Sequence, residues 1–158
     1  MAITYSQVKT SHDFNTVSPS TTPTMTIAAG DIVVVAFVMT DARGPGNLSI
    51  SNSGTAMTWT AIGDLGDRIG AWWAKAGETE NRTASVAFDS GDDGQHCVYG
   101  IVHTGAHQTD PVPSGKVYSG TAASSVSQSI TPTASGSALW GIFHNRASVA
   151  SSFTAGTN

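Results

Sequence analysis

Three aspartates in one glycine-containing segment have the spacing that best fits metal chemistry. Asp89, Asp92 and Asp93 lie in Asp-Ser-Gly-Asp-Asp-Gly, which places Asp at the first and fifth positions and Gly at the sixth, as at the start of a calcium-binding loop. The twelfth position is Gly100, so the bidentate glutamate of such a loop is absent. Asp and Gly are also standard β-turn residues. We predict an acidic surface turn without a metal ion, and these three carboxylates are the candidate calcium ligands.

The residues that could support catalysis do not form a recognisable motif. The chain has five histidines but no Gly-x-Ser-x-Gly segment, and its only glutamates, Glu78 and Glu80, lie in one turn and offer no carboxylate pair for glycoside hydrolysis. His103 and His107 are separated by Thr-Gly-Ala, which does not predict the helix that would align two imidazoles. Cys97 lies in an apolar strand pattern that is typical of a buried structural thiol. We therefore expect neither an enzyme nor a bound cofactor.

The aromatic residues are the candidates for ligand or partner contact. Aromatic rings stack on the apolar faces of sugars, but they also dominate protein cores and interface cores. Trp72 and Trp73 are adjacent in a predicted strand, so their side chains point to opposite faces, one inward and one outward. The candidate interface or ligand residues are Trp59, Trp72, Trp73 and Phe14. Packing is the favoured role for the tryptophans.

One long apolar run predicts a central strand, and the candidate residues described above must be arranged around it. Asp31–Thr40 contains eight consecutive apolar residues, too few to span a bilayer, and its many valines predict a strand. Because side chains alternate across a strand, both faces of this one are apolar. We expect both faces to be covered, the second by another sheet, a long loop or a neighbouring subunit.

The rest of the chain predicts further strands and no sustained helix. Turn signals recur about every eight to twelve residues, as in sandwiches and barrels. We predict an all-β chain, a two-sheet antiparallel β-sandwich of jelly-roll-like form, as one domain over residues 1–158 with an extended N-terminal arm around residues 10–24. The predicted strands are Ile3–Val8, Pro23–Ile27, Asp31–Thr40, Leu48–Ser51, Met57–Ile62, Arg68–Ala76, Thr83–Phe88, His96–Thr104, Lys116–Ser119, Ser125–Thr131, Ala138–His144 and Ser152–Thr154.

Composition narrows the classes of function. Charged residues make up 11% of the 158 residues, against about 25% in an ordinary globular domain, so the surface must be rich in hydroxyl groups instead. The net charge is −4 and the seven Lys and Arg are scattered, which argues against nucleic-acid binding. The N-terminal residues do not fit a signal peptide, and we expect no membrane span. The last predicted strand, Ser152–Thr154, has no predicted partner after it, so it either pairs with another chain or closes the domain alone.

Several short segments follow one another in a recognisable order. They are Ala29-Gly30-Asp31 with Ile32–Val38, Trp59-Thr60, Trp73-Ala74-Lys75-Ala76-Gly77-Glu78, Val98–Val102 through Gly105, and Asp110-Pro111-Val112. This order, over about residues 29–145, resembles a family of small β-sandwich proteins from tailed-phage virion gene clusters and some bacterial surface proteins. Two features depart from the family pattern: Met57-Thr58 replaces the Gly before Trp, and we expect the family's closing strands to be missing after Asn158.

The resemblance implies a structural protein of a phage virion. Combined with the low charge and the two-sided strand, it predicts a capsid decoration (cement) protein that is made in the host cytoplasm and sits on the capsid surface. Its expected partners are further copies of itself, as a homotrimer, and the major capsid protein. The alternative is a carbohydrate- or receptor-binding module of a phage tail. The outward tryptophan discriminates: burial between subunits favours cement, whereas a concave exposed patch with polar neighbours favours the sugar binder.

Overall fold

The described part of the chain folds into ten β-strands. A computed structural model describes residues 3–13, 18–39, 48–64, 69–88 and 96–112, and within these ranges it contains no helix. The prediction of an all-β chain is confirmed for this part. The strands are β1 Thr4–Asp13, β2 Ser20–Thr21, β3 Met25–Ile27, β4 Ile32–Met39, β5 Ser49–Asn52, β6 Thr60–Asp64, β7 Ile69–Lys75, β8 Glu80–Arg82, β9 Ala84–Ala87 and β10 His96–Thr104.

The strands form three antiparallel sheets. The largest has five strands in the order β1-β10-β4-β7-β6, so β4 lies at its centre. A three-stranded sheet has the order β2-β9-β5, and β3 pairs with β8 in a two-stranded sheet. Every pairing is antiparallel. The described part of the chain contains no helix long and apolar enough to cross a membrane.

The central strand β4 is buried along its whole length, as its sequence predicts. All eight residues from Ile32 to Met39 are buried. One face belongs to the main core, which contains Val33, Val35, Phe37 and Met39. They join side chains of β3, β7, β9 and β10 and of Phe88, which follows β9; the strand residues include Met25, Ile27, Trp72, Val86, Val98 and Val102.

The other face of β4 is also covered within a single copy of the chain. Ile32 and Val34 pack with Ala106, and half-buried side chains add to this second cluster. A neighbouring subunit is therefore not needed to bury the two-sided strand, which corrects one of the reasons for expecting an assembly. The half-buried members of the cluster are Ile3, Ile62, Trp73 and Ile101.

Strand β10 has the predicted bounds but only one fully buried face. His96, Val98 and Val102 are buried, whereas Cys97, Tyr99 and Ile101 alternate with them and are half-buried. The strand therefore alternates between core and partial exposure. The predicted strand Ala138–His144 lies outside the described residues.

The segment predicted as an extended arm is built into two sheets where the structure describes it. β1 continues to Asp13, which pairs with His96 of β10, and β2 pairs with β9. Thr22 is buried: its backbone N–H donates to the Ala84 carbonyl at 2.8 Å, and its hydroxyl accepts from the Ala84 N–H at 2.9 Å. Partner strands distant in sequence supply these hydrogen bonds, and local composition does not reveal them. Phe14 lies outside the described residues.

Candidate ligand-binding site

A cleft lies between the loop that follows β5 and the end of β7. Its volume is about 340 Å³, which falls at the lower end of the range of small-molecule sites. Among the described residues, the walls combine hydroxyl and apolar groups with one aromatic ring and three charged side chains. They comprise residues 55–58 of the loop, Thr60 of β6, Trp73 and Lys75 of β7, Gly77 and Glu78 of the following turn, and Arg82 of β8.

The floor of the cleft is set by the alternation of β7. Trp73 and Lys75 are two residues apart, so they lie on the same face of this strand. Thr60 of β6 is the cross-strand partner of Trp73. Trp73 is half-buried because it packs against the second cluster, behind β4, while it also lines the cleft. The ring is therefore held in place by apolar packing while it remains accessible to a ligand.

One wall of the cleft is fixed through Thr55. Its backbone N–H donates to Glu80 Oε2 at 3.3 Å, and its hydroxyl donates to Glu78 Oε2 at 3.4 Å. Its carbonyl oxygen accepts from Arg82 Nη1 and from Asn52 Nδ2. Each polar group of Thr55 thus has a partner, so this loop residue is held from four sides without belonging to a strand.

Asn52, the last residue of β5, closes the loop that carries this wall. Its Nδ2 donates to the carbonyls of Ser53 and Thr55 at 2.8 and 2.9 Å. Its Oδ1 accepts from Met57 N at 3.0 Å and from Trp59 Nε1 at 3.2 Å. A single amide side chain therefore satisfies both ends of the loop, which is the way Asn stabilises tight turns.

Gly54 is required at the tip of the same loop for two reasons. Its φ is +72°, in the left-handed region that favours glycine. A Cβ atom at this position would also overlap the carboxylate of Glu80. The loop can therefore lie against Glu80 only because residue 54 has no side chain.

A buried ion pair supports the wall from below. Arg82 is only 1% exposed, and its Nη2 lies 2.7 Å from Glu80 Oε2, whose side chain is 33% exposed. A buried guanidinium is tolerated when it is paired and hydrogen-bonded, and Arg82 has both the carboxylate and the Thr55 carbonyl. The charge of Arg82 is therefore already compensated before any ligand arrives.

The turn before β4 fixes the opposite end of the cleft. Gly30 N donates to the Ala76 carbonyl at 2.8 Å, and Ala76 N donates to the Asp31 carbonyl at 2.9 Å. Asp31 Oδ2 accepts from Ala28 N at 2.8 Å. Ala29, which follows Ala28 in the turn, donates its N–H to Thr79 Oγ1 at 3.1 Å. These contacts tie the turn after β7, which contributes Gly77 and Glu78 to the cleft, to the buried strand.

The aromatic residues predicted for ligand or interface contact separate into different environments. Trp72 and Trp73 point to opposite faces as predicted: Trp72 is 8% exposed in the main core, and Trp73 faces the cleft. Trp59 is half-buried against the main core, and its ring N–H is taken by Asn52. Phe14 lies outside the described residues. Of these three tryptophans, Trp73 is the one that lines this cleft.

The acidic segment predicted as a surface turn lies outside the described residues, with Asp89, Asp92 and Asp93. Elsewhere, among the residues that the structure describes, no three His, Cys, Asp or Glu side chains form a group that could hold a metal ion. The predicted acidic turn and its three candidate calcium ligands therefore stay predictions from the sequence.

The remaining titratable residues of β10 serve packing. Burial raises the pKa of the Cys97 thiol, although a hydrogen bond with Tyr99 acts in the opposite direction. A thiol with a raised pKa is protonated at neutral pH and is a poor nucleophile. Burial also lowers the pKa of His103. His96 packs against Phe88 and Phe37, with ring centroids 4.9 and 6.0 Å away.

Sequence reasoning missed the residues that shape the cleft wall. Asn-Ser-Gly at 52–54 signals a turn, but the partners of the Asn52 amide depend on where Met57 and Trp59 lie. Arg82 carries no signal at all, because its ion pair with Glu80 and its contact with Thr55 arise only from the pairing of the sheets.

No protein family, no curated protein and no solved structure matches this chain.

Proposed function

We propose that this chain is a non-catalytic β-domain of a tailed-phage virion that binds carbohydrate in the cleft beside Trp73. The observation that carries the proposal is the position of the outer member of the tryptophan pair. Trp73 lies in a concave cleft among hydroxyl and charged side chains, which is the arrangement expected for the tail-module alternative. The virion context rests on the resemblance of residues 29–145 to small phage β-sandwich proteins.

The composition of the cleft suits a sugar. A pyranose presents an apolar face of C–H groups and a rim of hydroxyls, so its site needs a flat aromatic ring and several hydrogen-bonding groups. Trp73 supplies the ring, and Thr55, Thr58 and Thr60 lie around it. Tryptophan combines a large apolar surface with a polar edge, which is why it is favoured at binding surfaces.

The hydrogen-bonded order of the loop after β5 supports a role of the cleft in ligand binding. Thr55 and Asn52 hold the wall through side-chain hydrogen bonds on both ends of the loop. A wall that is already ordered loses little conformational entropy when a ligand binds, so more of the contact energy appears as affinity. A weakly binding sugar depends on such preorganisation because each hydroxyl contact exchanges for one with water.

We also propose that the sheets form one jelly-roll-like sandwich domain. The support is the composition of the main core, in which Val33 and Phe37 of the five-stranded sheet join Ile27 of β3 and Val86 of β9. Strands of the two smaller sheets therefore share apolar contacts with one face of the large sheet, as in two packed antiparallel sheets.

The test of the function is direct binding with a matched pair of variants. The purified chain is screened on an array of bacterial surface oligosaccharides, and hits are measured by calorimetry with the wild type, Trp73→Ala and Thr21→Ala. Thr21 is exposed and lies outside the cleft. We expect Trp73→Ala to weaken binding at least tenfold and Thr21→Ala to leave it unchanged. The stacking of nucleic-acid bases on aromatic side chains, which contributes about 1–3 kcal/mol per base, sets the scale for this loss. An array without a hit would contradict the proposal.

The second candidate is the capsid decoration protein. It is favoured by the half-buried row of Cys97, Tyr99 and Ile101 on the outer face of β10, because apolar side chains left partly exposed in a row suit an interface. In this role the chain assembles as a homotrimer and binds the major capsid protein. A mixing experiment with purified heads and tails distinguishes the two: sedimentation with heads supports decoration, and binding to isolated oligosaccharide supports the tail module.

A further inference from the structure

We infer that the ligand of the cleft is an acidic sugar and that Lys75 binds its carboxylate. This inference rests on the proposed carbohydrate function and specifies its ligand class. The sequence singles out Trp73 as a candidate contact but assigns no role to Lys75. The structure places both in the lining of one cleft.

The geometry of β7 places a cation beside the stacking ring. Residues two apart on one strand face are about 6–7 Å apart along the strand. The Lys75 side chain is exposed and long enough to cover this distance while its stem lies along the strand. A sugar stacked on Trp73 therefore places a ring substituent within reach of the ammonium group. Thr60, opposite Trp73, leaves the other side of the ring for neutral hydroxyls.

The charges around the cleft single out Lys75 as the group that is available to an anion. Arg82 is paired with Glu80 at 2.7 Å and also donates to the Thr55 carbonyl. Glu78, the one carboxylate among the described lining residues, accepts a hydrogen bond from the Thr55 hydroxyl. Lys75 forms no ion pair within the described part of the chain. A ligand carboxylate would meet this ammonium without displacing an existing contact.

A comparison of acidic and neutral sugars tests the role of Lys75 separately from carbohydrate binding in the cleft. Tri-galacturonic acid and its methyl ester have the same sugar rings, and the ester carries an uncharged –COOCH3 group in place of each carboxylate. Sialyllactose and its methyl ester form a second pair. Calorimetry measures all four with the wild type, Lys75→Gln, Lys75→Arg and Trp73→Ala.

We expect the acidic member of at least one pair to bind about 3- to 10-fold more tightly than its neutral partner, as befits a partly exposed charge-assisted contact. Lys75→Gln removes this preference and Lys75→Arg retains it. The preference also shrinks between 50 and 500 mM salt, because exposed charges are screened. Trp73→Ala weakens acidic and neutral sugars alike.

Equal affinity for acidic and neutral sugars would overturn the inference and leave the carbohydrate function standing. Failure of all four probes together with an empty oligosaccharide array would overturn both. A preference that survives in Lys75→Gln would also reject the role of Lys75. Because Lys75 is exposed, these variants are expected to fold, so the result does not depend on whether Trp73→Ala is stable.

Discussion

The central strand and the cleft wall achieve fixed structure by opposite means. β4 is a run of eight buried apolar residues, held by nondirectional packing on both faces. The loop of residues 53–57 is exposed over much of its length and is held by hydrogen bonds from Asn52, Glu80 and Arg82. The first region tolerates exchanges that preserve apolar volume, whereas the second depends on individual atoms in particular places. A wall of the second kind can be altered by one substitution without unfolding the domain.

The largest effect is expected in the core. Phe37 is fully buried, and its ring centroid lies 5.4 Å from that of Phe88. Phe37→Ala should lower the free energy of unfolding by about 3–5 kcal/mol, because it leaves a cavity among close-packed side chains. Urea denaturation measures the change. Phe37→Leu keeps most of the volume and should lose much less, and an alanine variant that loses under 1 kcal/mol would show that this part of the core is loosely packed.

The buried ion pair is expected to give the next largest effect. Arg82→Met should lower the free energy of unfolding by about 1–3 kcal/mol, below the 3–5 kcal/mol typical of a broken buried pair, because Glu80 is partly exposed and retains water. The same variant removes a donor to the Thr55 carbonyl and should weaken ligand binding. Thermal denaturation and calorimetry together measure the two effects.

The double variant Glu80→Gln with Arg82→Met is the control for this pair. It removes both charges, so it should recover part of the stability lost in Arg82→Met. Recovery of stability without recovery of binding would separate the structural role of the pair from its role in holding the cleft wall. Equal stability of Arg82→Met and the wild type would contradict the view that the pair supports the loop.

The substitution Asn52→Ala tests most directly whether hydrogen bonds, and not apolar packing, hold the cleft wall. It removes the amide that serves both ends of the loop, but the atoms left behind lie where water can reach them, so the stability loss should be about 1 kcal/mol. Affinity for a sugar should fall by a larger factor than stability predicts, because the wall is no longer ordered before binding. Asn52→Asp keeps the acceptor for Met57 and Trp59 and should lose less affinity. A fall in stability with affinity unchanged would show that the loop is not part of a binding site.

The smallest effect is expected from pH. Burial lowers the pKa of His103 below its ordinary value of 6.5, so the unfolded chain binds more protons than the folded one as the solution becomes acidic. The stability contributed by the neutral side chain is fully present above pH 6.5 and is lost as the pH falls through the lowered pKa. Urea midpoints at pH 8.0 and pH 5.5 should therefore differ less in His103→Gln than in the wild type. Thr104→Gln, at the exposed end of the same strand, is the control for the substitution itself and should leave the difference as in the wild type.

The long apolar strands could be predicted from the sequence because their signal is local. The bounds of β10 match the prediction, and β4 differs by one residue at each end. The opposite orientations of Trp72 and Trp73 also follow from strand alternation alone. β2 and β8 were missed because each is short and polar, and their strand conformation comes from pairing with β9 and β3.

Some residues of the cleft could be predicted from local sequence signals, whereas those that depend on strand pairing could not. Trp73 could be singled out as an outward aromatic, and Gly54 as a turn residue. The ring became part of a site only when β6 brought Thr60 opposite it and the loop brought Thr55 alongside. Neither placement has a periodic signature, since each depends on which strands pair and in what register.

By itself, then, the sequence determined the all-β character of the described chain, the buried central strand and the two faces of β7, because apolar periodicity and turn residues act over a few neighbouring positions. Tertiary structure decided that one copy of the chain buries both faces of β4, that Asp13 and Thr21 belong to sheets, and that Arg82 supports a cleft. These outcomes depend on contacts between residues tens of positions apart. Such contacts are selected by the free energy of the whole packed arrangement, and no local pattern records them.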